Sequence, residues 1–264
     1  MGEASKSIGE EAEGKIWNLL DSLGYKIENT NIAKYDIDCI ADPPPKNPMY
    51  GVAKPLYAPD GLTAFEVKVP VASPKRVRDF RKKILKYNRE HVGRKVKGVF
   101  ISDSKISSKM LKSMRKLQIW GWGLQRQALY RRKAEIFGFF RNKAFITEIP
   151  IDASCSYLRC ATPPPTKSKT LLHIAVFFDD EFHTLSPIRV RKVMEKIKET
   201  SIIPLMTHGI KPINAFFEFY SIGGLSKHLR EEIYKTVIEP WRAERISVFV
   251  DKNPFKDFRA FPIL

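Results

Sequence analysis

The chain has 264 residues, 43% of them hydrophobic and 28% charged, an ordinary globular composition with length for one large or two small cores. The longest clearly apolar stretch, residues 174–178, is far too short to span a bilayer, and residues 1–6 hold neither an apolar signal core nor a myristoylation pattern, so a soluble cytoplasmic protein with no membrane partner is expected. The net charge of +17 is concentrated: residues 68–133 carry 21 Lys and Arg against three acids, while the other 25 basic and 26 acidic residues nearly cancel, which is the footprint of a polyanion-binding face.

Residues 8–24 read as a helix, with Ala12, Ile16, Leu19, Leu20 and Leu23 forming one apolar stripe and Gly24 as its stop. Strands are expected at 25–32 and 35–41, followed by a proline-rich excursion over 42–61. In the next strand, around 63–69, alternation sends Phe65, Val67 and Val69 to one face and Glu66 and Lys68 to the other. Ser73-Pro74 looks like a cap and first-turn proline, opening a helix to about residue 90 with Val77, Phe80, Ile84 and Tyr87 inward. A strand at 96–102 and a helix at 104–117, its apolar side Ile106, Met110, Met114 and Leu117, complete an α-β-β-β-α-β-α order. The material through residue 149 is less regular.

A proline-rich break at 161–170 reads as a linker, so the expected domains are 1–160 and 171–264. Beyond it, strands near 171–178, 202, 213–220 and 245–250 alternate with helices at 187–199 and 225–238, the β-α-β-β-α-β order of a ferredoxin-like fold. No internal repeat is apparent. The three cysteines, Cys39, Cys155 and Cys160, are too few and too isolated for a disulfide framework or a zinc site, and reduced thiols are expected. Scarce glutamine and abundant lysine lean toward an archaeal or thermophilic type of composition.

Several acidic residues compete for attention in the first 70 positions. On the first helix, at about 100° per residue, Glu13 lies roughly 80° from the stripe centre, whereas Glu10 and Glu11 lie about 140° and 120° away. Glu13 therefore flanks the packed face, although an acidic run at a helix start also complements the helix dipole. Asp36 and Asp38 share a strand face by alternation, which does not separate them. Glu66 and Lys68 could form a same-face surface ion pair worth at most about 1 kcal/mol. Elsewhere, Asp179-Asp180-Glu181 with His183 reads as a solvated turn. The five histidines show no ligand spacing, Trp120 and Trp122 read as packing residues, and no glycine-rich phosphate loop occurs.

Taken together, Gly9-Glu10-Glu11-Ala12-Glu13, Gly24-Tyr25, Ile37-Asp38-Cys39-Ile40-Ala41 and Phe65-Glu66-Val67-Lys68 resemble the PD-(D/E)XK nuclease superfamily, nearest its methylation-directed restriction endonucleases and archaeal Holliday-junction resolvases. The resemblance covers about residues 8–117, lacks the signature proline before Asp38, and favours Asp38 over Asp36. It implies an α/β restriction-endonuclease-like core with a smaller C-terminal α+β domain for recognition or dimerisation. It also implies a metal-dependent DNA endonuclease, with Mg²⁺ (Mn²⁺ able to substitute) held by Asp38, Glu66, the Val67 carbonyl and Glu13, and Lys68 activating water.

Lys75, Arg76, Arg78, Arg81, Lys82 and Lys86, following directly on the Glu66 strand, are the expected contacts to duplex, branched or modified DNA. A homodimer would supply two sites for paired cuts. The competing readings are a non-catalytic nucleic-acid-binding scaffold with a nuclease fold, and an RNA nuclease suggested by the ferredoxin-like order.

Overall fold

Helix α1 (Glu3–Ser22) buries Ile16, Leu19, Leu20 and Leu23, the stripe that helical spacing marks. It ends at Gly24, whose φ of +80° suits a residue without Cβ. There the Gly24 N–H donates to the Asp21 carbonyl at 2.8 Å and the Tyr25 N–H to that of Leu20 at 2.9 Å. The structure is a computed structural model that describes residues 3–44, 55, 57–68, 72–161, 169–179, 185–204, 211–222, 228, 229, 231, 234, 235 and 247–250. It is mixed α/β, with two five-stranded sheets, and divides into the units Met1–Ala134 and Glu135–Leu264. Among the described residues no helix is long and apolar enough to cross a membrane.

In the first unit, β1 (Lys26–Ile32), β2 (Ile37–Asp42), β3 (Thr63–Lys68), β4 (Lys97–Ser102) and β5 (Ile119–Trp122) lie in that order across the sheet. β1, β2 and β3 are antiparallel neighbours; β3, β4 and β5 are parallel. Parallel neighbours need long crossovers, and these are α2 (Pro74–Glu90) and α3 (Ser108–Lys116). The Ser73 hydroxyl caps α2 by accepting from the Arg76 N–H at 3.3 Å, and Pro74 occupies its first turn. The buried residues of α2 are the four that its spacing marks, Val77, Phe80, Ile84 and Tyr87.

Both faces of β3 are covered, so the strand is buried almost throughout. On one face Phe65 meets Tyr25 and Trp122 edge-on, at 5.4 and 5.8 Å between ring centroids. On the other, α2 comes down on β4, with Phe80 and Phe100 6.2 Å apart. Gly98 permits that approach: a Cβ there would lie 2.3 Å from Ile84 Cδ1. Each fully buried Phe or Leu contributes roughly 1.5–3 kcal/mol. Helix α3 starts later than its sequence suggests, with Ser107 as the cap. Ile106 therefore packs from the segment before the helix, and Leu111 joins Met114 as its buried contact. Helix α4 (Leu124–Phe140) follows β5, and the division between the units falls within it.

The second unit contains β6 (Phe145–Asp152), β7 (Cys155–Ala161), β8 (Lys169–Phe178), α5 (Pro187–Ile197), β9 (Lys211–Ser221) and β10 (Ser247–Val250). Its sheet order is β6-β7-β8-β9-β10, antiparallel from β6 to β8 and parallel from β8 to β10. Three expectations change here. The proline-rich 161–170 segment joins β7 and β8, which are paired neighbours in one sheet, so the division lies at residue 134 rather than at a 161–170 linker. A split β-α-β would insert a strand between β8 and β9, but these two pair directly, so the ferredoxin-like order is not formed. The strand expected near residue 202 is a π-helical turn, Lys198–Ile202, that prolongs α5 and buries Ile202 as a helical residue. Most of the helix expected at 225–238 lies outside the described residues.

Candidate active site

Strand pairing decides which carboxylates meet. Cys39 is registered against Phe65, which sets Asp38 opposite Glu66 on the sheet face under α2. Asp36 is not in the strand as alternation supposed. It sits in the preceding turn at φ +53°, a left-handed conformation that aspartate tolerates better than most residues. The Asp36 carboxylate is 84% exposed, whereas the Glu66 side chain is 2% exposed.

Around Glu66 the side chains form one connected cluster. Lys68 Nζ lies 3.0 Å from Glu66 Oε1 and 3.5 Å from Asp38 Oδ2. The Val67 N–H donates to Asp38 Oδ2 at 2.7 Å, fixing that carboxylate against the strand. Lys83, reaching in from α2, places its Nζ 2.7 Å from Glu66 Oε1 and 2.7 Å from Asp36 Oδ2. Glu66 Oε2 is buried and has no hydrogen-bond partner.

Burial, and then the Asp38 charge, raise the Glu66 pKa above the usual carboxylate range, against the opposing pull of Lys68 and Lys83. Burial would lower the pKa of Lys83, but its hydrogen bonds to Asp36 and Glu66 outweigh it and leave the ammonium more firmly protonated. Neighbouring Cys39 is pushed up to about 12, by burial and then by the Asp38 charge, and has no thiolate character at neutral pH. All three cysteines are free and buried.

Of the residues singled out in the sequence, Asp38, Glu66, Val67 and Lys68 therefore converge. Glu13 stands nearby on α1, half-buried. Burial first and the Asp38 charge second raise its pKa, while Lys68 lowers it, but no hydrogen bond joins it to the cluster. Among the described residues no three His, Cys, Asp or Glu side chains are grouped to hold a metal ion. The donor set nearest that need is the Asp38–Glu66 pair, hard oxygen ligands suited to Mg²⁺. The unsatisfied, buried Glu66 Oε2 fits such a ligand, because a lone pair held away from water without a partner is costly.

Lys83 is the member that pattern reading missed. It lies three residues after Phe80 and four before Tyr87, both buried, so it borders the inward stripe rather than the solvent face. That position was the available signal. The α2 residues Lys75, Arg76, Arg78, Lys82 and Lys86 are exposed and Arg81 is half-buried. Some are engaged locally: Lys82 pairs with Asp79 at 3.3 Å, and Lys86 donates to the Lys34 carbonyl at 3.3 Å. Trp122 is a core residue, its Nε1–H donating to the Tyr57 carbonyl at 2.8 Å, which ties the end of the proline-rich excursion to the sheet. Asp179 is buried, not a solvated turn residue, while Asp180, Glu181 and His183 lie outside the described residues.

A second buried polar set occupies β6 to β9. The Tyr220 hydroxyl donates to Glu218 at 2.5 Å, His173 Nε2 lies 3.4 Å from Glu218, and the Ser156 hydroxyl donates to Glu148 at 2.7 Å. Compared with known proteins, the chain matches no family model, no curated protein and no solved structure.

Proposed function

We propose that the chain is a metal-dependent nuclease that hydrolyses phosphodiester bonds in DNA, with a restriction-endonuclease-like core of the PD-(D/E)XK kind in its first unit. The observation that carries this reading is the meeting of Asp38, Glu66 and Lys68 from paired strands, with one Glu66 oxygen buried and unpartnered. A phosphodiester repels an anionic nucleophile, so hydrolysis needs charge neutralised at phosphate and a nucleophile available at neutral pH. Mg²⁺ or Mn²⁺, when bound, supplies Lewis-acid neutralisation of the scissile phosphate.

The chain's own groups do the rest. Asp38 and Glu66 would hold the ion, with the Val67 backbone carbonyl beside them as a further candidate donor. Lys68 orients and polarises the attacking water and offsets phosphate charge. Glu13, its pKa raised by burial first and the Asp38 charge second, stands nearby on α1 to orient water beside the pair. Lys83 acts through Glu66 as a positioning residue, aiming that carboxylate and favouring its ionised form. The exposed basic residues of α2 grip phosphates without reading sequence.

The test is to incubate the protein and its Lys68→Ala variant with labelled linear, flapped, single-stranded and four-way DNA, with Mg²⁺ or with EDTA. Cutting should require metal and vanish in the variant, while binding persists. Tight, salt-sensitive binding by the wild type with no cutting of any substrate refutes the nuclease reading. It would favour the scaffold reading, whose support is that Lys68 and Lys83 already neutralise the carboxylates without a metal. The RNA-nuclease reading loses its fold-level argument with the ferredoxin-like order.

A further inference from the structure

The two units share more than class. In each, five strands lie in chain order across one sheet, the first three antiparallel and the last three parallel, with a helix crossing from the third strand to the fourth. Those two helices open on nearly the same words, Ser73-Pro74-Lys75-Arg76-Val77-Arg78 in α2 and Ser186-Pro187-Ile188-Arg189-Val190-Arg191 in α5. In both, the serine hydroxyl accepts from the N–H three residues on, at 3.3 Å, proline starts the helix and the valine is buried. The inward spacing then continues in step, Val77, Phe80 and Ile84 against Val190, Val193 and Ile197. A Ser-Pro helix start is common and alone would say little. Its recurrence on the topologically matching helix makes it informative.

Strand register extends the equivalence to the site. The third and fourth strands end on the pairs Lys68–Ser102 and Phe178–Ser221, and two residues earlier on Glu66–Phe100 and Val176–Phe219. Across the second strand, Asp38 stands opposite Glu66, and Tyr157 opposite Val176. Where the first unit has Asp38, Glu66 and Lys68, the second therefore has Tyr157, Val176 and Phe178. All three belong to one buried apolar cluster with Val190 and Ile197. The Tyr157 hydroxyl is engaged by Ser201 at 2.6 Å.

We infer that the chain carries one fold twice, that the second copy is closed by apolar side chains at the cleavage position, and that each chain therefore has a single centre that cuts one DNA strand per encounter. This rests on the nuclease reading of the first unit. Hydrolysis at one centre adds one water across one P–O bond, the water oxygen joining phosphorus and a proton going to the departing sugar oxygen. The product of one chain acting alone is a nick. A double-strand break takes a second chain or a second encounter.

The test uses supercoiled circular DNA with Mg²⁺, full-length wild type, Lys68→Ala, Tyr157→Phe and the double variant Asp38→Asn/Glu66→Gln, with Mn²⁺ binding measured in parallel. Limiting wild type should accumulate nicked circles before linear DNA. Lys68→Ala should cut neither strand, and Tyr157→Phe should cut within about twofold of wild type. Wild-type cutting with Lys68→Ala still nicking at about half the strand-cutting rate overturns the inference and leaves the nuclease reading standing. So does a folded Tyr157→Phe that has lost cutting. Should wild type cut nothing, the nuclease reading falls. Mn²⁺ binding that disappears in the double variant would then still support a single centre, and Mn²⁺ retained by that variant would overturn it.

Discussion

Lys83→Met is the sharpest probe of the cluster, because methionine keeps the aliphatic stem and deletes only the ammonium. The lost pair joins a 17%-exposed lysine to a 2%-exposed glutamate at 2.7 Å. Breaking a fully buried pair from one side costs about 3–5 kcal/mol. Here Lys68 stays 3.0 Å from the same Glu66 oxygen, and Lys83 keeps some contact with water. The expected loss therefore falls to about 2 kcal/mol at pH 8. Urea unfolding followed by tryptophan fluorescence reads it, since Trp17, Trp120 and Trp122, three of the four tryptophans, lie in the first unit.

Adding Glu66→Gln removes the stranded charge, so the double variant should recover most of the loss, a coupling of about 1–3 kcal/mol. The sign with pH follows from burial and the Asp38 charge, which already raise the Glu66 pKa. Without Lys83 it rises further. A carboxyl whose folded pKa exceeds its unfolded value gains stability as pH falls through the folded value toward 4.5. Lys83 itself titrates above 10.5 and is fully charged throughout that window. The deficit of Lys83→Met should accordingly shrink between pH 8 and pH 5. A loss under about 0.5 kcal/mol with no coupling, or a deficit that ignores pH, would refute the claim that Lys83 sustains a buried Glu66 charge.

Gly98→Ala should destabilise the first unit by about 1–3 kcal/mol in the same urea assay, because the new methyl meets Ile84, Ile119 and Phe80, all pinned in the core. Replacing Lys75, Arg76, Arg78 and Lys82 together by alanine should weaken DNA binding and flatten its salt dependence. Each lost phosphate contact takes about 0.9 from the slope of log K against log salt, and an unchanged slope would remove α2 from the interface.

The elements most legible in the sequence were those whose signals are local. The α1 stripe with its Gly24 stop, and α2 with its Ser73-Pro74 start and four inward residues, appear where spacing and capping put them. Glu66 and Lys68 were legible as a pair because alternation along one strand sends both to one face. Asp38 was favoured over Asp36 only by the family resemblance, and the strand register is what sets it opposite Glu66. Lys83 was not legible, since a basic residue at the border of an apolar stripe reads equally well as solvated until the strand beneath it is known. Asp36 misled because alternation was carried one turn too far into residues that are not strand. The second unit was misread at a larger scale. Proline-rich sequence at 161–170 signals a break between elements, but only the pairing of β7 with β8 shows that the strands on either side belong to one sheet. The repeated topology was hidden because the two copies share few residues outside the start of α2 and α5.

That second copy bears on why the first is built as it is. A buried carboxylate between two ammonium groups is poor material for stability, since desolvating the charges costs as much as their attraction returns. Were the fold to require charge at those positions, both units would carry it. Instead Tyr157, Val176 and Phe178 fill the matching places and pack into the core of the second unit. The same backbone order thus accepts apolar residues at the end of its third strand, and the fold alone does not call for Glu66, Asp38 and Lys68. The first unit keeps a partly unsatisfied glutamate of raised pKa, with Asp38 and Lys68 beside it, at places the second unit fills with hydrophobic packing. Local departures from the best-packed choice concentrate where a protein acts on something else, and that is the physical ground for proposing the end of β3 as the active site.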